Sequence, residues 1–174
     1  MTRRDGTTHL EKLIRANASD LLAYLERRVD PRADAADVLS EALIIAWKKA
    51  RSAPADEIGG RRWLFTIARN TLLNARRATR RRLAATDRLR QELEQTSTGP
   101  DHDSSDTIDV RGAVTQLPKE QRELVELVHW DGFSIADAAQ IMGVSDSTAR
   151  SRYAAAKDRL RALLVGAPED SKHR

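Results

Sequence analysis

The sequence predicts an all-α protein: two small helical domains joined by an acidic flexible linker, the C-terminal one a helix-turn-helix. Three observations predict this. Apolar residues recur at helical spacing along most of the chain, with no alternating strand pattern and no internal repeat. The stretch "EQTSTGPDHDSSDT", residues 94–107, lacks apolar periodicity and has a linker's composition. Downstream, Met142-Gly143-Val144 makes a tight turn between two amphipathic segments, each preceded by a serine able to cap it.

A chain of 174 residues can build one domain or two small ones, each with a modest core. The expected division is an N-terminal domain at 1–90, the acidic linker at 91–110, the helix-turn-helix domain at 111–165 and a polar tail at 166–174. Charged residues make up 32% and aromatic residues 4%, a balance that points to a soluble, helix-rich chain. No run approaches the length of a membrane span, and "MTRRDGTTHLEK" lacks the apolar stretch of a signal peptide. The expectation is a cytoplasmic protein without membrane insertion. The absence of cysteine excludes disulfides and thiolate metal sites.

The first helix is expected over 9–29, where Leu10, Leu13, Ile14, Leu21, Leu22, Leu25 and Val29 follow helical spacing until Asp30-Pro31 stops them. A second runs from about Asp34 to Ala50. "SAPADEIGG" reads as a loop, punctuated by Pro54 and Gly59-Gly60. An arginine-rich helix follows over 61–82, and three or four short helices lie beyond the linker. Among these, Ser134 can cap a helix with Asp137 three residues on, and Ser145 can cap the next.

Charge is strongly segregated behind a formal net of +4. Residues 61–90 hold ten arginines against Asp87 alone, whereas residues 91–110 hold six acids and no Lys or Arg. A basic block beside an acidic one suggests a polyanion partner and a separate acidic element. On a helical wheel, Leu64, Ile67, Ala68, Thr71, Leu72 and Ala75 form the core stripe of the basic helix. Trp63, Thr66, Asn70, Asn74, Arg77 and Arg81 form a second stripe, and Arg62, Arg69, Arg76 and Arg80 a third beside it. Cations neutralise phosphates, aromatic faces stack on bases, and amides can read exposed base edges. The plainer alternative is a solvated arginine face with Trp63 folded into the core.

In the last helix, Ala149, Tyr153, Ala156, Leu160 and Leu163 share the core face. Ser147, Arg150, Ser151 and Ala154 point outward, with Arg152 and Lys157 on the flanks. The second helix of a helix-turn-helix enters the major groove, so these side chains are candidate DNA contacts. An ordinary helical hairpin is the alternative. In the second helix, Asp37, Ser40, Ile44 and Trp47 fall on one stripe away from the Val38/Ala42/Ile45 core face. An aliphatic residue and a tryptophan left outward on a polar helix suit a partner-helix interface. Alternatively, Ile44 and Trp47 pack beneath the first helix.

Three motifs in order carry a family resemblance: "DAADVLSEALIIAW", "RRWLFTIARNTLLNARR" and "LPKEQRELVELVHWDGFSIADAAQIMGVSDSTARSRYAAAKDRLR". Together they resemble bacterial RNA polymerase sigma factors of the compact extracytoplasmic-function (ECF) group, over about 10–83 and 110–165. The resemblance implies a subunit that binds core RNA polymerase and directs promoter-specific initiation. It implies that Asp37, Ser40, Glu41, Ile44 and Trp47 bind the clamp helices of the polymerase's largest subunit. It assigns Arg62, Trp63, Arg69, Asn70, Asn74, Arg77, Arg80 and Arg81 to the minus-10 element of promoter DNA. Asn70 would line, with the loop 51–61, a pocket for a flipped base. Ser147, Thr148, Arg150, Ser151, Arg152 and Lys157 would contact the minus-35 element.

Some positions depart from the family. Ser40 and Leu43 replace the Gln and Phe often found there, and Ala154 and Ala155 replace bulkier or basic residues, which implies fewer groove contacts. The linker is either a charged tether or, by resemblance, a segment that threads the polymerase channel with acids mimicking phosphates. An anti-sigma factor is a further partner the resemblance allows, although no residue identifies one.

No enzyme is expected. His9, His102, His129 and His173 are scattered at spacings that build no metal site, and no nucleophile–base pair emerges. No cofactor is implied. The alternatives to a sigma factor are a stand-alone helix-turn-helix regulator, which binds duplex DNA without polymerase, and a nucleic-acid-processing enzyme.

Overall fold

The computed structural model describes residues 3–91 and 110–165. The linker expected at 91–110 lies outside these residues except for Gln91 and Val110, and the expected polar tail lies outside them entirely. The chain divides into two compact units, Met1–Ser97 and Thr98–Arg174. Among the described residues all regular structure is helical.

In the first unit, α1 (Arg3–Glu26), α2 (Ala35–Lys48) and α3 (Glu57–Gln91) pack mutually, each against the other two. Leu10, Leu13, Leu21 and Leu25 of α1 meet Val38, Ala42 and Ala46 of α2 and Leu64, Ile67, Ala68 and Leu72 of α3 in one buried core. The wholly buried Ala46 and Ala68 have short side chains, which lets neighbouring backbones approach. Phe65 is also wholly buried, although it lies outside the stripe read from the wheel. The reason is that α3 packs against two helices at once, so it buries a wider arc than one apolar stripe. Its ring meets that of Tyr24 edge-on, with centroids 5.3 Å apart.

Several boundaries differ from the sequence reading: α1 begins at Arg3 rather than near residue 9, and α3 runs on to Gln91 rather than ending at 82. Helix α1 stops at Glu26, and a turn continues it: Arg28 and Val29 both donate their N–H groups to the Leu25 carbonyl. Helix α3 begins at Glu57, so Gly59 and Gly60 belong to its first turn and not to a loop. Asp56 caps it, its Oδ1 accepting from the Gly59 N–H at 2.7 Å. The glycines reflect close approach: a Cβ on Gly60 would stand 2.8 Å from Leu13 Cδ1. Buried polar groups find local acceptors, Asn17 Nδ2 donating to the Leu13 carbonyl and Thr71 Oγ1 to that of Ile67.

In the second unit, α7 (Asp146–Val165) packs against α4 (Val110–Thr115), α5 (Lys119–His129) and α6 (Ile135–Met142). Leu124, Leu127, Ile141, Ala149 and Ala156 are buried there. Arg122 ties the end of α4 to α5: its Nε donates to the Val114 carbonyl at 3.2 Å and its Nη2 to that of Leu117 at 3.1 Å, with a further bond to Thr115. The α6–α7 pair has the predicted turn chemistry. Ser134 Oγ accepts from the Asp137 N–H at 3.0 Å, and Gly143 ends α6 at φ 68°. Ser145 Oγ then accepts from the Thr148 N–H at 3.2 Å to start α7. Helices α6 and α7 therefore form a helix-turn-helix.

Candidate functional site

Three surfaces carry the residues singled out in the sequence. On α2, Asp37, Ser40, Glu41, Ile44 and Trp47 are all exposed, while Ala35, Val38, Ala42 and Ala46 face the core. Ser40 Oγ donates to the Ala36 carbonyl at 2.9 Å, which leaves its hydroxyl on the helix surface. Ile44 and Trp47 retain 54% and 49% exposure, so neither is buried beneath α1. An isoleucine and a tryptophan three residues apart, on the same face as Asp37 and Glu41, form a half-exposed amphipathic patch.

The α3 surface is graded. Arg62, Trp63 and Arg69 are half-buried, whereas Asn70, Asn74, Arg77, Arg80 and Arg81 are exposed. From Arg62 to Arg81 the helix rises roughly 28 Å, so the row spans several nucleotides of a bound strand. Trp63 is neither buried in the core nor fully out. Thr66 of the same stripe is half-buried and donates to the Arg62 carbonyl at 2.9 Å.

Two arginines of this helix are turned to other work. Arg61 pairs with Asp20 of α1 at 3.1 Å and lies over the Phe65 ring. Arg76 donates to the Arg28 carbonyl just past the end of α1. Arg28 in turn covers the Tyr24 ring, its Cζ 4.0 Å from the centroid. Of the eight arginines of 61–82, Arg61 and Arg76 thus fasten α3 to α1, while Arg77, Arg80, Arg81 and Arg82 are exposed. Nothing in the local sequence marks which is which, since the fastening depends on how α1 packs against α3.

On α7, Ser147, Arg150, Ser151 and Lys157 are exposed, and Thr148 and Arg152 are half-buried. Thr148 Oγ1 lies 2.8 Å from Ser145 Oγ, so its hydroxyl belongs to the cap cluster. Arg152 Nη2 lies 3.1 Å from Glu120 Oε2 on α5, an ion pair the sequence reading did not foresee. His129 Nε2 meets the Tyr153 hydroxyl at 2.8 Å, and the two rings stack, joining the end of α5 to the flank of α7. Among the described residues, no group of three or more His, Asp or Glu side chains is placed to hold a metal. No described helix is long and apolar enough to cross a membrane.

A three-helix unit with a long arginine face, and a separate helix-turn-helix unit, place the chain among DNA-binding proteins. Residues 13–82 match the family described as Sigma-70 region 2, and residues 108–160 match Sigma-70, region 4. The ECF RNA polymerase sigma factor SigL of Mycobacterium tuberculosis is 31% identical over 171 residues, covering 94% of this chain and 96% of that protein. SigM of the same organism is 35% identical over 144 residues, covering 82% of this chain and 69% of SigM. The sigma factor RpoE, solved in complex with the anti-sigma factor NepR from Bartonella quintana, superposes with a TM-score of 0.65 at 29% identity. That match covers 97% of this chain and 99% of RpoE.

The chain belongs to the ECF sigma factors. It binds core RNA polymerase and directs promoter-specific transcription initiation. A stand-alone regulator is not the reading these matches favour. Sigma factors are initiation factors and not catalysts.

Proposed function

We propose that the three surfaces divide the work of initiation. The exposed α2 face, Asp37, Ser40, Glu41, Ile44 and Trp47, docks on a helical element of core polymerase. The α3 row, Arg62, Trp63, Arg69, Asn70, Asn74, Arg77, Arg80 and Arg81, takes the minus-10 element. Its arginines hold phosphate, and Asn70 bonds the edge of a base drawn out of the stack. On α7, Arg150, Ser151 and Ser147 face the minus-35 groove, with Lys157, Arg152 and Thr148 alongside. On this reading residues 1–90 carry polymerase binding and promoter opening, 91–110 tether the two domains, and 111–165 read the upstream element.

One observation carries the division. Ile44 and Trp47 stand half-exposed on a helix whose opposite face is buried, while the cations stand on a different helix. Apolar and cationic surfaces segregated in this way suit two different partners, a protein and a polyanion. The chain acts without catalytic chemistry of its own and works in the cytoplasm with the polymerase. An anti-sigma protein is a further proposed partner, supported by the similarity to RpoE, which was solved with NepR. The test is co-elution of the purified chain with bacterial core polymerase, followed by run-off transcription. Initiation from a defined promoter only when the chain is present is expected. Tight duplex binding by the chain alone, with no effect on polymerase, would favour a regulator instead.

A further inference from the structure

Arg152 lies on the flank of α7, half-buried, with its Nη2 3.1 Å from Glu120 Oε2 in the first turn of α5. Its side chain is 31% exposed and that of Glu120 65% exposed, so the pair sits at the surface with the carboxylate outermost. Arg150, on the outward face of the same helix, is exposed. In a helix lying in the major groove, outward residues meet base edges and flanking residues meet the phosphate walls. A flanking guanidinium that reaches phosphate raises affinity for every sequence alike, because phosphate contacts carry no base information.

We propose that Glu120 is a specificity-determining residue for promoter recognition. By holding Arg152 it withholds that guanidinium from indiscriminate phosphate contact, and discrimination is left to Arg150 and its outward neighbours. The inference rests on the reading of α7 as the groove helix.

The test uses the full chain in holoenzyme with core polymerase. Binding is measured by competition to a duplex promoter and to the same duplex with a scrambled minus-35 element, over a range of salt. Four variants are compared: Glu120→Gln, Arg152→Ala, their combination, and Arg150→Ala. Glu120→Gln is expected to tighten binding to the scrambled duplex about two- to fivefold, the span of an exposed ion pair. It should tighten the matched promoter less, so the ratio of the two affinities falls. The slope of log affinity against log salt should steepen by about one, for one added phosphate contact. In the Arg152→Ala background the substitution should do nothing. The same tightening in that background would show Glu120 acting as bulk charge and overturn the proposal, as would no tightening at all. Weaker binding to the matched promoter would overturn it as well, because Glu120 would then be positioning Arg152 for a base. Loss of discrimination in Arg150→Ala verifies the groove assignment independently; unchanged discrimination there would refute that assignment and not the pairing.

Discussion

Removing the Trp47 ring tests the polymerase-binding face directly. The side chain keeps 49% of its surface exposed in the folded chain. An indole offers up to about 250 Å² for burial, so docking can remove roughly 120 Å² from water, worth about 3 kcal/mol at 25 cal/mol per Å². Alanine restores little of that area, and Trp47→Ala is therefore expected to weaken core-polymerase binding by about 2–3 kcal/mol, roughly 30- to 150-fold. The adjoining Ile44, 54% exposed, should add about 1 kcal/mol when truncated with it. Folding should be affected less than docking, because the fully buried face of α2 is built from Ala35, Val38, Ala42 and Ala46. The assay is a fluorescence titration of labelled chain against core polymerase, with circular dichroism melting as the control. Wild-type affinity in a folded double variant would remove this face from the interface. A fall in melting stability as large as the fall in affinity would refute the separation of docking surface from core.

The other predictions concern the DNA faces and the packing of α3. Asn70→Ala should spare polymerase binding and closed-complex formation yet impair opening by about 1–3 kcal/mol, since a flipped base loses its hydrogen-bond partner. Permanganate footprinting should show the defect shrinking on a template mismatched across the minus-10 element; normal opening on duplex DNA would reduce Asn70 to a surface amide. Arg150→Ala should reduce discrimination at the minus-35 element by about 1–3 kcal/mol if it reads a base, with affinities measured across promoter variants and salt. A changed salt slope with intact discrimination would make it a phosphate contact instead. Gly60→Val should destabilise the first unit by about 1–3 kcal/mol, because the new Cβ would stand 2.8 Å from Leu13 Cδ1 in a packed core. Unchanged denaturant midpoints for that variant would mean that Leu13 can yield without loss.

The division among the arginines bears on how α3 meets DNA. Like charges along one helix repel, and the Arg61–Asp20 pair and the Arg76 bond to the Arg28 carbonyl offset part of that repulsion. Both also anchor α3 to α1. The exposed side chains from Asn70 to Arg81 are thereby presented on a helix held at two points rather than on a loose segment. Rigid presentation matters where a base must be held in one orientation, since disorder would offset the energy of each contact.

What could be read from the chain alone was local. Helical spacing is a property of neighbouring residues, so α2, the stripe of Ile44 and Trp47, and the core face of α7 followed from it. Turn chemistry is local too: the Ser134 cap and the left-handed Gly143 each depend on a few adjacent residues. The family motifs lie on those same elements, which is why fold and function were legible together. The remainder depended on segments distant in sequence. Phe65 enters the core because α1 and α2 cover α3 from two sides, and Gly60 is a contact with Leu13, not a loop signal. Arg76 is a fastener because α1 ends where its guanidinium can reach, and Arg152 meets Glu120 because α5 packs against α7. An arginine's charge is written in the sequence, but its partner is chosen by packing, because a long side chain bonds whichever acceptor the fold brings within reach.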